Sequence, residues 1–234
     1  MTDRRFVLWD IDHTLIDTRG VGRELSAAAF EQVTGQPMRE QAKIDGITEP
    51  VIFRETARLH GLQTGRADFE RFARALADGH LAHSSELRER GHALPGAAAA
   101  LDALAGVPGL VQTVVSGNVR AVAEIKLNVF GLDRHIAWDL GAYGEDNDER
   151  PGLVRTALAR LRAKFGAVDP SEAVVIGDTA ADVAAALDNC VAVLAVATGR
   201  TSADDLRAAG ADLVVPDLTH TASVVQRVQA LLEG

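Results

Sequence analysis

The chain has 234 residues, of which 47% are apolar and 24% charged, with 21 glycines and 7 prolines. These proportions are near the averages of globular proteins, so they exclude collagen-like, low-complexity and disulfide-scaffold classes. The net charge of −9 argues against a nucleic-acid partner, because phosphate backbones are bound by an excess of lysine and arginine.

The longest uninterrupted apolar run extends from Val191 to Ala197, far short of the ~20 residues that a membrane-spanning helix needs. The first ten residues also lack the apolar stretch of a signal peptide. The single cysteine, Cys190, cannot form an internal disulfide and is expected to pack in the core. We therefore expect a cytoplasmic protein with no membrane partner, either a monomer or a homodimer.

The first predicted element is a buried strand from Phe6 to Trp9, which leads directly into Asp10. Residues 17 to 90 then show helical periodicity and no strand pattern. One of the helices starts after Thr48 with a proline in its first turn. Glycine-bearing segments flank this stretch on both sides, so we expect it to form a separate helical insert.

After Pro95 and Gly96, apolar runs alternate with helical segments. The predicted strands cover 110–115, 136–138, 173–176, 191–196 and 213–215, and the predicted helices lie near 97–104, 119–129, 153–165, 180–187, 204–209 and 220–232. Strict alternation favours a parallel sheet with helices on both faces. We therefore predict an α/β fold: a doubly wound, Rossmann-like core formed by residues 1–16 and 91–234, with 17–90 as an inserted all-helical cap domain.

Polar clusters follow three of the predicted strands. They are Asp10 and Asp12 after the first strand, Ser116, Gly117 and Asn118 after the second, and Asp178 and Asp182 after 173–176. Open parallel sheets bind their ligands at the carboxyl ends of the strands. Asp10 and Asp12 repel each other unless a cation or a proton intervenes, which indicates Mg²⁺ or acid–base chemistry, and Asp178 could complete an all-oxygen metal site. Turn capping explains one such motif equally well, but not three together.

In order and spacing, these motifs resemble the haloacid dehalogenase superfamily, specifically its phosphoglycolate-phosphatase-like members with a helical cap. Asp10 to Thr14 is similar to the Asp-x-Asp-x-Thr motif, Ser116 to the hydroxyl residue of the second motif, and Gly177 to Asp182 to the Gly-Asp-x-x-x-Asp motif. Gly46 to Pro50 is similar to the Gly-x-Thr-Asp segment of such caps. His13 departs from the pattern, because glycine is usual at that position.

The resemblance implies a Mg²⁺-dependent phosphatase that acts on a small phosphorylated metabolite. It implies that Asp10 is the nucleophile that forms an aspartyl-phosphate, and that Asp12 is the general acid and base. The Asp10 carboxylate, the backbone carbonyl of Asp12 and Asp178 would then hold Mg²⁺, while Asp182 orders coordinated waters. It further implies that Ser116 and the amides that follow it, those of Gly117 and Asn118, bind the phosphoryl oxygens.

Phosphoryl transfer of this kind also needs a cationic side chain beside the phosphoryl group. The family's usual Lys-Pro pair is absent, and Arg150-Pro151 occupies that place in the chain, so Arg150 is the first candidate. A solvent-exposed ion pair in an acidic loop is the alternative interpretation of Arg150. Lys126 is the second candidate, although it lies about 12 Å along a helix from Asn118, at ~1.5 Å per residue.

Other functions remain open at this stage. A phosphomutase or a phosphonate hydrolase of the same superfamily shares most of these motifs, but the second needs a cap lysine, for which Lys43 is the candidate. From a different class, a receiver-like signalling domain combines similar residues, and the helical insert argues against it. His80 and His83 are three residues apart on a predicted helix, which favours an exposed polar face over a metal site.

Overall fold

A computed structural model describes residues 4–233 of the chain. Its strands are β1 (Arg5–Trp9), β2 (Ile16–Asp17), β3 (His92–Ala93), β4 (Leu110–Val114), β5 (Ala173–Gly177), β6 (Ala192–Val196) and β7 (Leu213–Val215). A parallel five-stranded sheet has the order β4-β1-β5-β6-β7, and β2 pairs with β3 in a separate antiparallel ladder. The first strand of the chain therefore lies inside the sheet, between two partners.

The helices of the insert are α1 (Val21–Thr34), α2 (Glu49–Leu59), α3 (Arg66–Ala82) and α4 (Ser84–Arg90). Those that alternate with the strands of the sheet are α5 (Ala97–Ala105), α6 (Arg120–Val129), α7 (Arg150–Phe165), α8 (Ala180–Leu187), α9 (Ala203–Ala208) and α10 (Thr221–Glu233). No helix within the described range is long and apolar enough to span a membrane.

Strand β1 is buried on both faces. Val7 and Trp9 pack into a hydrophobic cluster with α5 and α10, whereas Phe6 and Leu8 pack into a second cluster with α7 and α8. Successive side chains of a strand point to opposite faces, so a strand with helices on both sides needs a continuous apolar run. This arrangement confirms the predicted doubly wound α/β fold.

The helical insert has its own apolar cluster, which extends to α6. Phe30, Phe53 and Phe72 come from three different helices of the insert, and Phe53 and Phe72 stack with ring centroids 4.6 Å apart. Val119 and Val122, at the start of α6, belong to the same cluster. Helix α6 thus anchors the insert, and it does so close to the carboxyl ends of the sheet strands.

Two predictions about local structure are wrong. The apolar run at residues 136–138 is not a strand: it makes a single bridge, from Ile136 to Gln112, and then turns into a short 3-10 helix, Trp138–Leu140. The segment passes the edge of β4 without running along it. Cys190 is exposed, because it lies in the turn after α8, where its backbone φ is 56°.

Candidate active site

Asp10 stands at the carboxyl end of β1. Its amide donates to the carbonyl of Ile176 on β5 at 2.8 Å, so the backbone is still paired with the neighbouring strand at this residue. The Asp10 carboxylate is buried, and the Thr14 hydroxyl lies 3.5 Å from Asp10 Oδ2 and 3.2 Å from Asp178 Oδ1. The ends of β1 and β5 therefore bring two carboxylates to one place.

A third carboxylate, that of Asp182, completes a buried group. Carboxylate oxygens of Asp10, Asp178 and Asp182 lie within 4.8 Å of one another. Asp182 is in the first turn of α8, where its Oδ2 accepts from the amide of Thr179 at 3.0 Å and from its hydroxyl at 2.6 Å, and the Thr179 hydroxyl in turn accepts from the Asp182 amide. This capping box fixes Asp182 in the Gly-Asp-Thr-Ala-Ala-Asp sequence.

Arg150 lies inside this acidic group. The alternative interpretation from the sequence, a solvent-exposed ion pair, is therefore wrong. Arg150, at the start of α7, is only 7% exposed; its Nη2 donates to Asp10 Oδ1, and its Nε donates to Asp182 Oδ1 at 2.6 Å. Three carboxylates and one guanidinium leave an excess of two negative charges when all are ionised. A divalent cation would match that excess.

The pKa values of two of these carboxyl groups are raised, mainly by burial. Burial raises the pKa of Asp10 to about 7, although Arg150 opposes the shift. Burial, reinforced by the negative charges of Asp10 and Asp182, raises the pKa of Asp178 to about 8. Ionised carboxylates this close are costly without a further cation, and Mg²⁺ is a hard ion that prefers such oxygen ligands. The residues present therefore fit a magnesium ion.

Asp12 belongs to a different network, on the other side of the site. Lys126 Nζ lies 2.9 and 2.8 Å from its two carboxylate oxygens and donates to Asn118 Oδ1 at 2.8 Å, while Asn118 Nδ2 donates to Asp12 Oδ2 at 2.7 Å. Burial would raise the pKa of Asp12, but the Lys126 ammonium and these hydrogen bonds outweigh it and lower the pKa. The Asp12 carboxyl group is thus held ionised.

The loop after β4 supplies neutral hydrogen-bonding groups. Ser116 is 1% exposed, and its Oγ accepts from Asn118 Nδ2 at 2.9 Å and from the Asn118 amide at 3.3 Å. A side chain on Gly117 would collide with the carbonyl oxygen of Ile47, from the insert. Glycine therefore lets the insert approach, and the Glu49 amide donates to the Gly117 carbonyl at 2.8 Å.

His13 occupies the position where the family that this sequence resembles usually has glycine. Its backbone φ is 61°, in the left-handed region that favours glycine. Its amide donates to Ile16 O at 2.7 Å, and its carbonyl accepts from the Thr198 hydroxyl at 2.5 Å. These two contacts hold the unfavourable backbone conformation in place.

A cavity of about 500 Å³ opens between the strand ends and the insert. Of the residues singled out from the sequence, those that line it are Asp10, Asp12, His13, Ser116, Gly117, Asn118, Lys126, Arg150 and Asp178. Asp182 lies behind them, bonded to Arg150. Both candidate cations are therefore at the site, Arg150 beside Asp10 and Lys126 beside Asp12.

The insert also contributes lining residues. Glu49 belongs to the Gly46 to Pro50 segment singled out from the sequence, whereas Ser26, Ile52, Leu76 and His80 lie outside the sequence motifs. His80 is 1% exposed, so the interpretation of a polar outer face is wrong for it, whereas His83 is exposed as expected. Helical periodicity alone could have placed His80 on the apolar side of its helix, with Leu76 one turn before it. Lys43 is exposed and is not among the lining residues.

Comparison with known proteins identifies a family that matches this chain. The family model described as haloacid dehalogenase-like hydrolase matches residues 7–187. No curated protein matches the chain. A HAD hydrolase of family IA, variant 3, from Entamoeba histolytica has a TM-score of 0.69 at 15% identity, covering 98% of this chain and 100% of its own.

Two further solved structures show the same fold. A hydrolase from Pseudomonas syringae has a TM-score of 0.67 at 20% identity, covering 96% of this chain and 98% of its own. A predicted phosphoglycolate phosphatase from Haemophilus somnus has a TM-score of 0.64 at 18% identity, covering 97% and 100%. At such identities the likeness establishes the fold alone.

The raised pKa of Asp178 predicts a pH-dependent loss of stability in metal-free protein. The folded-state pKa of about 8 exceeds the ordinary value of 3.8, so the stabilisation of the protonated form is complete below pH ~4 and is lost as the pH rises through 8. Relative to Asp178→Asn, the wild type should become progressively less stable over this range, as measured by urea unfolding in chelator.

The control is Asp204→Asn, at a side chain that is 94% exposed, which should follow the wild type at every pH. Excess Mg²⁺ should stabilise the wild type at pH 8 and have little effect on Asp178→Asn. Parallel pH dependences for the wild type and Asp178→Asn would contradict the electrostatic account of the cluster.

Proposed function

We propose that this chain, which belongs to the haloacid dehalogenase-like hydrolase family, is a phosphatase that hydrolyses phosphate esters of small metabolites through a phosphoryl group carried on Asp10. The observation that carries the proposal is the position of Asp10. It is a buried carboxylate at the end of β1, an inner strand of the sheet, held by Arg150 and open to a cavity that Asp12 also lines. A nucleophile and a separate acid–base group are the two parts that a covalent mechanism needs.

Asp10 would begin the reaction as the nucleophile. One of its carboxylate oxygens forms a bond to phosphorus while the bond from phosphorus to the leaving oxygen breaks, and that oxygen takes a proton from Asp12. A water molecule then attacks the phosphorus of the aspartyl-phosphate and passes a proton to Asp12, while the bond from phosphorus to the Asp10 oxygen breaks. Inorganic phosphate leaves, Asp10 is a free carboxylate again, and Asp12 holds the proton that it held in the substrate complex.

Lys126 adjusts the proton affinity of Asp12 between these steps. In the free protein the ammonium keeps the pKa of Asp12 low, which suits its role as a base. A bound phosphate dianion brings negative charge next to Asp12 and also attracts Lys126, and both effects favour the protonated form that serves as an acid. The pair therefore supports both proton transfers.

Mg²⁺ would be held by the Asp10 carboxylate, the Asp12 carbonyl and Asp178, with Asp182 ordering its waters, and would offset the charge of the phosphoryl oxygens. Arg150 keeps the Asp10 carboxylate fixed through its contact with Oδ1 and places a positive charge beside the phosphoryl group. The excess of negative charge in the cluster supports both assignments.

The loop after β4 would bind the phosphoryl oxygens. Ser116 Oγ accepts two hydrogen bonds from Asn118, and among the described residues its own proton has no acceptor. That proton is free to be donated to a phosphoryl oxygen, as are the backbone amides of Gly117 and Asn118 once an anion competes for them.

Residues 17–90 would act as a cap domain over the core of 1–16 and 91–234. The supporting contacts are those between the insert and the loops of the site. The Glu49 amide donates to Gly117 O at 2.8 Å, and the Thr48 hydroxyl donates to Asp148 O at 3.0 Å. A closed cap excludes water from the phosphoryl group and supplies contacts to the leaving group.

The first test is Asp10→Asn, which is nearly isosteric but removes the charged nucleophile. Release of inorganic phosphate from p-nitrophenyl phosphate and from a panel of phosphorylated metabolites should fall by at least ~10³-fold, with the circular dichroism spectrum unchanged. Asp204→Asn, the exposed control, should retain wild-type rates. Near-normal turnover in Asp10→Asn would exclude the covalent mechanism, and phosphoryl transfer between sugars without release of phosphate would indicate a mutase.

A second test separates the two cations. Arg150→Ala should lower kcat/KM for every substrate by a similar factor, on the order of 10³, because its charge acts on the phosphoryl group common to all of them. Arg155→Ala, at an exposed position of the same helix, is the matched control and should be silent. Lys126→Met should instead move the alkaline limb of the pH profile of kcat/KM to higher pH, because loss of the ammonium raises the pKa of Asp12. A uniform collapse in Lys126→Met with Arg150→Ala nearly normal would reverse the assignment.

A further inference from the structure

His80 of α3 carries an unsatisfied buried nitrogen in the wall of the cavity. Its Nδ1 lies 2.8 Å from the Leu76 carbonyl, and His80 is one of the residues that line the cavity. Among the buried side-chain nitrogens and oxygens of residues 4–233, His80 Nε2 is the one that has no hydrogen-bond partner. Such atoms are rare in folded proteins, because an unmet hydrogen bond in a buried place is costly.

The chemistry of this nitrogen follows from its partner on the other side of the ring. The Leu76 carbonyl can only accept, so Nδ1 carries the proton and donates. Burial, together with the positive charge of Lys126, lowers the pKa of His80 to about 4, so the imidazole is neutral at physiological pH. Nε2 therefore presents a lone pair, and what it requires is a hydrogen-bond donor.

His83 shows that the backbone contact does not explain the burial. Its Nδ1 also lies near the carbonyl four residues earlier, that of Gly79 at 3.0 Å, but its side chain is exposed. The same local arrangement thus occurs at both histidines, His80 within α3 and His83 directly after it, but of the two only His80 lines the cavity.

The surroundings of His80 suit a polar, uncharged ligand group. Ser26 of α1, Glu49 of α2, Ile52 and Val122 line the same cavity as His80. Burial raises the pKa of Glu49 to about 7, even though Lys126 opposes the shift. The cavity lining therefore includes a hydroxyl group, a weakly acidic carboxyl group and a nitrogen lone pair, a set that matches hydroxyl groups on a carbon skeleton.

We propose that His80 determines substrate specificity by accepting, at Nε2, a hydrogen bond from a hydroxyl group of the leaving alcohol. The substrates are then phosphate esters of polyols or sugars. An ester such as a phosphorylated hydroxy acid, whose leaving group carries only a carboxylate, has no donor for Nε2 and brings a second negative charge towards Glu49 and Asp12. This inference rests on the proposed phosphatase function, and it goes further by naming the substrate class.

The test compares matched esters that differ in one hydroxyl group. The pairs are propane-1,2-diol 1-phosphate with propyl phosphate, ribose 5-phosphate with 2-deoxyribose 5-phosphate, and glucose 6-phosphate with 2-deoxyglucose 6-phosphate. We expect the wild type to prefer the hydroxylated member of at least one pair by about 10- to 100-fold in kcat/KM, the range that one buried hydrogen bond provides. p-Nitrophenyl phosphate, which has no such hydroxyl group, reports the phosphoryl chemistry alone.

His80→Phe keeps an aromatic ring and removes the acceptor, so it should abolish the preference and leave p-nitrophenyl phosphate hydrolysis within about twofold of the wild type. His80→Leu makes the same test with a smaller side chain if the phenyl ring is not accommodated. His80→Gln, whose Oε1 can replace Nε2 as acceptor, should retain part of the preference, and His83→Phe should retain all of it.

The results separate the two levels of the proposal. Absence of any phosphatase activity in the wild type, on p-nitrophenyl phosphate and the panel alike, would overturn the proposed function and this inference with it. Hydrolysis of p-nitrophenyl phosphate without a preference within any pair, or with a preference that survives in both His80→Phe and His80→Leu, would overturn the role of His80 alone.

Discussion

An excess of negative charge at the carboxyl ends of β1 and β5 is the constraint around which the rest of the site is arranged. Asp10, Asp178 and Asp182 are buried together with one guanidinium, that of Arg150, and the raised pKa values of Asp10 and Asp178 show that this single cation is insufficient. Burying these charges costs free energy, and apolar packing elsewhere in the chain has to offset that cost. Such a cluster has a use when a divalent cation and a phosphoryl group complete it.

The fold separates two electrostatic environments only two residues apart. Strand β1 is fixed on both edges and both faces, so Asp10 is delivered towards Asp178 and Arg150 with little freedom. Asp12, beyond the end of the strand, is bound instead by Lys126 from α6. The pKa of Asp10 is raised and that of Asp12 is lowered, so two side chains of the same type titrate in different pH ranges.

Sequence reasoning could identify the strands and the motifs after them, because continuous apolar runs and Gly-Asp or Asp-x-Asp ends are local signals. It underestimated how closely Lys126 could approach the strand ends, because distance along a helix axis ignores the direction of the side chain. Helical side chains lean towards the N-terminus, and a lysine can reach back about a turn or more. Helical periodicity could have placed His80 on the apolar side of its helix, but it could not show that this side lines the cavity. The single bridge at Ile136 likewise depends on where a loop passes a sheet edge, which is a tertiary effect.

The most direct measurement of the charge imbalance is calorimetric titration of Mg²⁺ into metal-free protein at pH 7, in two buffers with different ionisation enthalpies. At this pH the Asp10 and Asp178 carboxyl groups are partly protonated, so the account predicts one bound ion per chain with release of protons, and less release at pH 9, where both groups have already ionised. Absence of binding, or binding with no proton release at pH 7, would contradict it.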